Sequence, residues 1–296
     1  MMDAVLNLLK PPGMTSHDAV SFVRRIYRQK RVGHSGTLDP AAAGVLPIYL
    51  GNATRLVEYG EHFDKEYRTL IRFGILTDTG DDTGTVLCQK SVDPSLMQDL
   101  ENIVSSFTGH YDQVPPMYSA LKVNGRKLYE LAREGIIVER ASRQVEIQSI
   151  RLMYQSDDLA VIHVACSKGT YIRTLCEDIG ARIGLPATMA FLLRTRVGPF
   201  EIAQANTLEE IVDAPQSVLL PADIAVSHFP VCRFDDEETR NLRQGKEVKV
   251  NPGCSALCDK SLVRLYSHTG IFFGIGCYSL ETSLLHPSKI FADGND

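Results

Sequence analysis

Apolar residues recur at helical spacing in several parts of the chain. The first such segment begins at Thr15-Ser16-His17-Asp18, a sequence that resembles a capping box. Its apolar face consists of Ala19, Val20, Val23, Ile26 and Tyr27. The same spacing predicts helices over residues 96–107, 127–133 and 236–243. A further helix is predicted to begin at Gly169-Thr170 and to end at Gly184.

Other segments alternate between apolar and polar residues, as half-buried strands do. Residues 66–73 place Tyr67, Thr69, Ile71 and Phe73 on one face of a predicted strand. Strands are also predicted over residues 145–154, 160–166, 247–250, 262–266 and 271–278. Residues 74–84 are polar and glycine-rich and are predicted to form a turn region.

The chain after residue 200 changes character twice. Residues 201–232 carry five acidic residues and no Lys or Arg, and are predicted to form a linker and packing segment to about residue 229. From residue 230 onward a short helix and three short strands indicate a small β-rich module. A module of this size folds more easily when it is docked on a larger domain.

Composition is that of an ordinary globular protein of 296 residues, with 44% hydrophobic residues and a net charge of −5. The longest apolar run, residues 41–50, is interrupted by Pro47 and is too short to cross a bilayer. No secretory signal is visible at the start of the sequence, and the seven scattered cysteines are expected to be reduced thiols. We therefore expect a cytoplasmic protein without a membrane partner.

Positive charge is concentrated in two segments in spite of the negative total. Such clusters favour binding of a phosphate backbone. The first contains Arg24, Arg25, Arg28, Lys30 and Arg31, and the second contains Lys122, Arg126, Lys127, Arg133, Arg140 and Arg143.

Motifs for nucleotide, metal and serine chemistry are absent from the sequence. There is no phosphate-binding loop of the type G-x-x-x-x-G-K-[ST] and no G-x-S-x-G elbow. Cys254 and Cys258 lack a second pair of ligands at zinc-finger spacing, and the acids at 78, 81 and 82 lack the alternation of a calcium loop. We expect neither a cofactor nor a metal.

Two polar residues stand in unusual places. Asp39 is the one acidic residue in the stretch from Lys30 to Leu56, and it is either a turn residue or a catalytic carboxylate on a loop. Arg173 is expected at the third position of a helix capped by Thr170, where a cation faces the positive end of the helix dipole. A carboxylate partner would offset this cost, and both Glu177 and Asp39 are candidates.

Six segments, in this order, resemble the TruB-type tRNA pseudouridine synthases, which convert the uridine at position 55 in the T arm of tRNA to pseudouridine. The resemblance covers residues 10 to about 196, and the family's catalytic loop corresponds to residues 33–40. The segments read KPPGMTS from Lys10, GHSGTLDP from Gly33, KEY from Lys65, GILTDT from Gly74, QVPPMYSALK from Gln113 and CSKGTYIRTL from Cys166. Departures are few, and none falls on the expected catalytic residues.

The resemblance implies an isomerase with the α+β fold of pseudouridine synthases, in which helices flank a largely antiparallel central sheet. It implies a catalytic domain over residues 1–228, with an RNA-clasping insertion at about 110–145, and a PUA-like domain over 229–296. Catalytic residues would be Asp39, Tyr67 and Arg173, with Arg173 stabilising the ionised form of Asp39 and fixing its rotamer. His34, Tyr67, Tyr171 and Leu192 would contact the target nucleotide.

Several alternatives remain open at this point. A tRNA-folding chaperone would keep the same fold with little turnover, but it would not need Asp39, Arg173 and Tyr67 together. A glycoside or nucleoside hydrolase would need two carboxylates in defined roles, and no second acid lies in a comparable loop. Within the enzyme interpretation, other RNA uridines and the chemical path at C1′ also stay open. We expect a monomer that acts on tRNA.

Overall fold

The computed structural model describes residues 2–123, 125–250 and 257–291. Seven α-helices occur in this part of the chain: α1 (Ser16–Tyr27), α2 (Val57–Gly60), α3 (Leu100–Ser105), α4 (Leu128–Arg133), α5 (Ile172–Ile183), α6 (Leu208–Asp213) and α7 (Asp236–Arg243). Short 3₁₀ helices cover Gly51–Leu56, Pro94–Asp99, Ile202–Gln204 and Ala222–Val226.

Strands make up most of the remaining regular structure. The first nine are β1 (Ala4–Lys10), β2 (Val32–His34), β3 (Ala43–Leu50), β4 (Lys65–Phe73), β5 (Ile75–Thr77), β6 (Val86–Gln89), β7 (Gly109–Gln113), β8 (Lys122–Val123) and β9 (Arg126–Lys127). The others are β10 (Arg143–Gln155), β11 (Leu159–Cys166), β12 (Ala187–Val197), β13 (Phe200–Glu201), β14 (Leu219–Pro221), β15 (Val231–Phe234), β16 (Val248–Lys249), β17 (Leu262–Ser267), β18 (Phe272–Ser279) and β19 (Leu284–Ile290).

The larger sheet has ten strands in the order β14-β1-β3-β12-β4-β11-β10-β7, with β13 paired to β12 and β2 to β3. Its described pairings are antiparallel except for β3 with β12, which run parallel over two residue pairs, Ala43 with Leu193 and Gly44 with Arg194. The main core lies between this sheet and helices α1, α3 and α5. The predicted mixed α+β fold with a largely antiparallel central sheet is confirmed.

Most elements predicted from periodicity are present. Helix α1 begins with the predicted capping box, in which the Thr15 side chain accepts from the Asp18 amide. The alternating strand is β4, and Gly184 ends α5 in the left-handed conformation. The helix predicted over 96–107 is a 3₁₀ turn followed by α3.

Three central strands, β1, β3 and β12, were not predicted. All eight residues of β3 are buried, Pro47 included, so the strand lacks the alternation that marks a half-buried strand. Pro47 sits opposite Asn7 of β1 in the register. Because β3 is buried on both faces, its sequence does not alternate, and periodicity could not predict this central strand.

The acidic segment is more than a linker. It contains α6, and its strand β14 pairs with β1 through Ala4–Pro221, Val5–Leu220 and Leu6–Leu219. The linker part of the prediction is therefore wrong for these residues, because they complete one edge of the sheet. The packing part is confirmed, since Ala225 and Val226 lie in a buried cluster with Val5 and Val45. Backbone pairing with a distant strand leaves no local signal in a polar sequence.

The C-terminal part of the described chain forms a five-stranded sheet, β15-β17-β18-β19-β16, which confirms a β-rich C-terminal module. Two of its strands, β15 and β19, were not predicted from periodicity. A hydrophobic cluster joins it to the larger sheet, with Val5 and Val45 on one side and Ile275 and Phe291 on the other. The module is therefore docked on the larger sheet through a shared core.

Cysteine states differ in part from expectation. Within the described ranges, five cysteines are free, namely Cys88, Cys166, Cys176, Cys258 and Cys277. Cys232 is disulfide-bonded, so the expectation of reduced thiols is wrong for this residue. Pairing depends on the spatial approach of two thiols, which sequence spacing does not show. Cys254, part of the rejected zinc pair, lies outside the described residues.

No helix within the described ranges is long and apolar enough to cross a membrane.

Candidate active site

The loop that carries Asp39 is fixed on both sides of that residue. On one side, the Ser16 hydroxyl donates to the Leu38 carbonyl (3.1 Å) and accepts from the Leu38 amide (2.9 Å). On the other side, the Pro40 carbonyl accepts from the Gly13 amide (2.8 Å) and from Lys10 Nζ (3.4 Å). Because both neighbours of Asp39 are held by side chains and backbone of the preceding segment, the carboxylate stands on a rigid support.

Lys10 is a fully buried lysine next to this loop. Its Nζ also donates to the carbonyls of Pro11 (2.8 Å) and Met14 (2.7 Å). Burial lowers the pKa of Lys10 to about 8, with Arg194 acting in the same direction and Asp39 opposing it. Lys10 was not among the predicted site residues, although it begins the first of the six matching segments.

Arg194 holds the first part of the loop that carries Asp39 from the opposite side. The residue is 1% exposed, and its guanidinium donates to the carbonyls of Gly36 (3.0 Å), Thr37 (3.4 Å) and Val45 (2.8 Å). Burial lowers the pKa of Arg194, which Tyr67 and Asp39 partly oppose. Sequence reasoning missed this residue, because an arginine in a strand gives no sign of facing the interior.

Arg173 reaches Asp39 from helix α5. Arg173 Nε lies 3.3 Å from Asp39 Oδ2, and the arginine side chain is 8% exposed while that of Asp39 is 38% exposed. Arg173 also donates from Nη1 to the Thr79 carbonyl (2.9 Å) and from Nη2 to the Tyr118 carbonyl (2.8 Å). The guanidinium thus joins three separate loops at one point.

The position of Arg173 in its helix differs slightly from the prediction. Helix α5 begins at Ile172 with Tyr171 as its N-cap, so Arg173 is the second helical residue. Thr170 does not cap the helix, because its hydroxyl donates backward to the Ser167 carbonyl (3.0 Å). Of the two candidate partners for Arg173, the structure brings Asp39 into the ion pair.

Tyr67 lies on the core side of β4, directly opposite Arg194 in the register with β12. It is 7% exposed. Burial raises the pKa of Tyr67 to about 12, and the neighbouring Arg194 guanidinium partly opposes this. The phenol therefore keeps its proton at neutral pH.

The remaining predicted contact residues surround the same region. Leu192 and Asp39 line one pocket, together with Phe191 and Met189 of β12. His34 ends β2, and burial together with Arg194 and His17 lowers its pKa, so the imidazole is neutral at pH 7. Its Nδ1 atom is buried and has no hydrogen-bond partner among the residues that the structure describes.

Tyr171, the last predicted contact residue, is placed by its backbone. Its amide donates to Gln113 Oε1 (2.8 Å), and its carbonyl accepts from Gln113 Nε2 (3.0 Å). Gln113 is 1% exposed and was not singled out from the sequence. Tyr171 is thereby fixed two residues before Arg173.

Two further carboxylates line the pocket next to Asp39, which the sequence argument did not predict. Asp81 Oδ1 accepts from the Thr79 hydroxyl (2.7 Å) and from the Thr83 amide (3.0 Å). Asp82 pairs with Arg72 at 3.1 Å. Asp81 is thereby held within the 78–84 turn, and Asp82 is tied to β4 by its ion pair.

The two basic segments lie largely at the surface. Within the first, Arg25 and Arg28 are exposed, Arg24 donates to the Val32 carbonyl and Arg31 donates to Asn52. In the second, Arg126 forms an ion pair with Glu134. The described residues contain no group of three or more His, Cys, Asp or Glu side chains that could hold a metal ion.

Family models match three consecutive parts of the chain. Residues 24–172 match the TruB family pseudouridylate synthase (N terminal domain), residues 173–227 match the tRNA pseudouridylate synthase B C-terminal domain, and residues 230–289 match Pseudouridine synthase II TruB, C-terminal.

Full-length similarity is found with curated proteins and with solved structures. The chain is 45% identical to the tRNA pseudouridine synthase B of Moorella thermoacetica, covering 98% of this chain and 99% of that protein. It is 42% identical to the protein of the same name from Caldanaerobacter subterraneus subsp. tengcongensis, with the same coverage. A chain in an H/ACA RNP structure with a substrate RNA containing 2′-deoxyuridine gives a TM-score of 0.74 at 25% identity, covering 99% of this chain and 86% of that one.

Proposed function

The chain belongs to the TruB family of pseudouridylate synthases, and we propose that it converts the uridine at position 55 in the T arm of tRNA to pseudouridine. The ion pair of Asp39 with Arg173 is the observation that carries this proposal. It places a fixed carboxylate at a pocket whose wall includes Leu192. The full-length similarity to tRNA pseudouridine synthases supplies the substrate class.

The reaction is an isomerisation that needs no net redox change. The bond between ribose C1′ and N1 breaks, the base turns, and a bond forms between C1′ and C5. The proton on C5 leaves to solvent and N1 gains one, so the atoms balance. A carboxylate serves this reaction by bonding to, or stabilising positive charge at, the carbon under attack. Direct attack at C1′, a glycal route and addition to the base all use Asp39 as the nucleophile or base.

Each surrounding residue has a physical task in this proposal. Arg173 stabilises the ionised form of Asp39 and fixes its rotamer. Arg194 and Lys10 hold the loop on which Asp39 stands. Tyr67 packs against the uracil and assists proton transfer, and burial raises the pKa of its phenol to about 12. His34 offers a neutral imidazole to the nucleotide.

The target uridine is stacked within folded tRNA, so it has to be flipped out at a cost of a few kcal/mol. We assign the exposed arginines of α1 and the basic segment of the insertion to the phosphates that flank it. We also assign residues 1–228 to the catalytic domain and 229–296 to a PUA-like RNA-binding domain. The cytoplasmic location and the monomeric state belong to this proposal as well.

The alternative is a tRNA-folding chaperone with the same fold. A chaperone needs the RNA-binding surface but gains nothing from a carboxylate that is fixed on both sides and paired with a buried arginine. The ion pair therefore favours catalysis over binding alone.

The experiment that tests the proposal uses unmodified tRNA carrying tritium on uracil C5, without a cofactor. Formation of the C1′–C5 bond displaces that hydrogen, so tritium released into water reports turnover. We expect the wild type and the exposed-site control Asp157→Asn to release it and Asp39→Asn to bind tRNA without release. A tRNA in which uridine 55 is replaced by cytidine should give no release. Binding of tRNA without release by the wild type would support the chaperone instead.

A further inference from the structure

The insertion leaves and rejoins the sheet at one register pair. Gln113, the last residue of β7, lies opposite Arg143, the first residue of β10. Residues 114–142 therefore form an excursion whose two ends meet at the edge of the sheet. A contact that fixes Gln113 and Arg143 therefore also fixes the point at which the insertion leaves the sheet.

Gln113 makes three hydrogen bonds with its side-chain amide, although it is only 1% exposed. Its Oε1 accepts from the Tyr171 amide (2.8 Å), and its Nε2 donates to the Tyr171 carbonyl (3.0 Å) and to the Tyr111 hydroxyl. The orientation of the amide is fixed, because a backbone N–H can only donate and a carbonyl can only accept. The side chain thus satisfies the peptide groups of Tyr171 as a neighbouring strand would.

Tyr171 is the N-cap of helix α5, but its side chain makes no capping hydrogen bond to the helix. Two residues later Arg173 reaches Asp39, so the position of the first turn of α5 decides where the guanidinium lies. A second connection runs directly from the insertion to the same guanidinium, since the Tyr118 carbonyl accepts from Arg173 Nη2 at 2.8 Å. The insertion therefore contacts the arginine of the ion pair directly through Tyr118, and its base contacts Tyr171, two residues before that arginine.

We propose that Gln113 is a positioning residue that ties the base of the insertion to the first turn of helix α5, so that Arg173 holds Asp39 in its reactive orientation. This inference rests on the proposed function and deepens it. The insertion then serves catalysis as well as RNA binding, because its docking determines the geometry of the ion pair. Misplacement of reacting groups by about 1 Å lowers rates by about 10²-fold.

The chemistry of the side chain explains why glutamine serves here. Methionine has a similar length and volume but neither donor nor acceptor for the peptide groups of Tyr171. Glutamate keeps the acceptor toward the Tyr171 amide but turns a carboxylate oxygen toward the Tyr171 carbonyl. Both changes preserve volume, so they test the hydrogen bonds and not the packing.

The test measures single-turnover tritium release at saturating enzyme, together with tRNA affinity, for Gln113→Met, Gln113→Glu and the control Gln144→Met. Gln144 is exposed and adjoins Arg143 on β10. We expect both variants of Gln113 to react about 10- to 100-fold more slowly, with tRNA affinity within about threefold of wild type. The control should react at the wild-type rate. Circular dichroism establishes first that each variant is folded.

A double-mutant cycle with Arg173→Lys distinguishes positioning from general destabilisation. If Gln113 acts through Arg173, Gln113→Met should have little further effect once Arg173 has been replaced. Independent losses that multiply would overturn the inference, as would a single-turnover rate within about twofold of wild type for folded Gln113→Met and Gln113→Glu. Failure of the wild type to release tritium would instead refute the proposed function.

Discussion

Replacement of Arg173 by lysine isolates the geometry of the ion pair from its charge. Lysine keeps one positive charge, but its single ammonium on a flexible stem cannot reproduce the planar fork of a guanidinium. In the structure that fork serves Asp39, the Thr79 carbonyl and the Tyr118 carbonyl at once. A single ammonium nitrogen cannot stand at the three positions from which Nε, Nη1 and Nη2 donate, so we expect the lysine to keep one of these contacts and lose the other two.

The size of the effect follows from the two acceptors that are lost. A hydrogen bond to a charged group contributes about 1.5–3 kcal/mol, so two of them give an upper value of about 3–6 kcal/mol. The Asp39 side chain is 38% exposed, and water can therefore reach this side of the site and replace part of the loss. We expect Arg173→Lys to lower the free energy of unfolding by about 2–4 kcal/mol and the single-turnover rate by about 10²-fold.

Urea unfolding followed by far-UV circular dichroism measures the first quantity, because the chain has no tryptophan to report by fluorescence. Tritium release at saturating enzyme measures the second. The matched control is Arg182→Lys on the same helix, where the arginine is exposed and donates to the Ser106 hydroxyl (2.8 Å). A folded Arg173→Lys protein with a rate within about threefold of wild type would refute a role for Arg173 in orienting Asp39. An equal loss in the control would also refute it.

Two further predictions concern the folded state. A Cβ on Gly44, at φ +118°, would lie 2.1 Å from the backbone oxygen of Arg194, so Gly44→Ala should lower the free energy of unfolding by more than about 3 kcal/mol. The control Gly245→Ala, also at positive φ but in open space, should lower it by about 1 kcal/mol. Equal losses of stability in urea unfolding would contradict this. Burial, with Asp178 beside it, raises the pKa of Glu177 to about 7 from 4.5, so the folded state binds this proton more tightly and loses that stabilisation as pH rises through 7. Glu177→Gln should therefore match wild type near pH 4, below the unfolded pKa, and exceed it by roughly 1–2 kcal/mol at pH 8 in urea unfolding, and a constant difference across this range would contradict the burial argument.

Local sequence rules predicted elements whose signals are local. The capping box at Thr15 and the alternation of β4 each follow from residues within one turn or one strand. Strand β3 escaped because all its residues are buried, and β14 escaped because its pairing partner lies at the other end of the chain. Periodicity reports how one face differs from the other, so it cannot detect a strand with two similar faces.

The residues of the candidate site divide in the same way, into those with a local sequence signal and those without one. Lys10, Gln113 and Arg194 are each at most 1% exposed, and each holds backbone groups of a distant segment. Nothing in the sequence around them distinguishes an inward side chain from an outward one, because lysine, glutamine and arginine mostly lie at protein surfaces. Their tasks become visible only when the register of β12 and the edge of the sheet are known.

Arg173 was predictable because its local environment is unfavourable. A cation in the first turn of a helix faces the positive end of the dipole, at a cost of about 0.3–1 kcal/mol. The structure places it one residue closer to the N-terminus than expected, and three acceptors from three separate loops offset the cost. A residue that is unfavourable within its own element must be stabilised by groups outside it, so such a residue indicates a long-range contact. Gln113 gives no such signal because it conflicts with nothing in β7, and its task therefore had to be inferred from the structure.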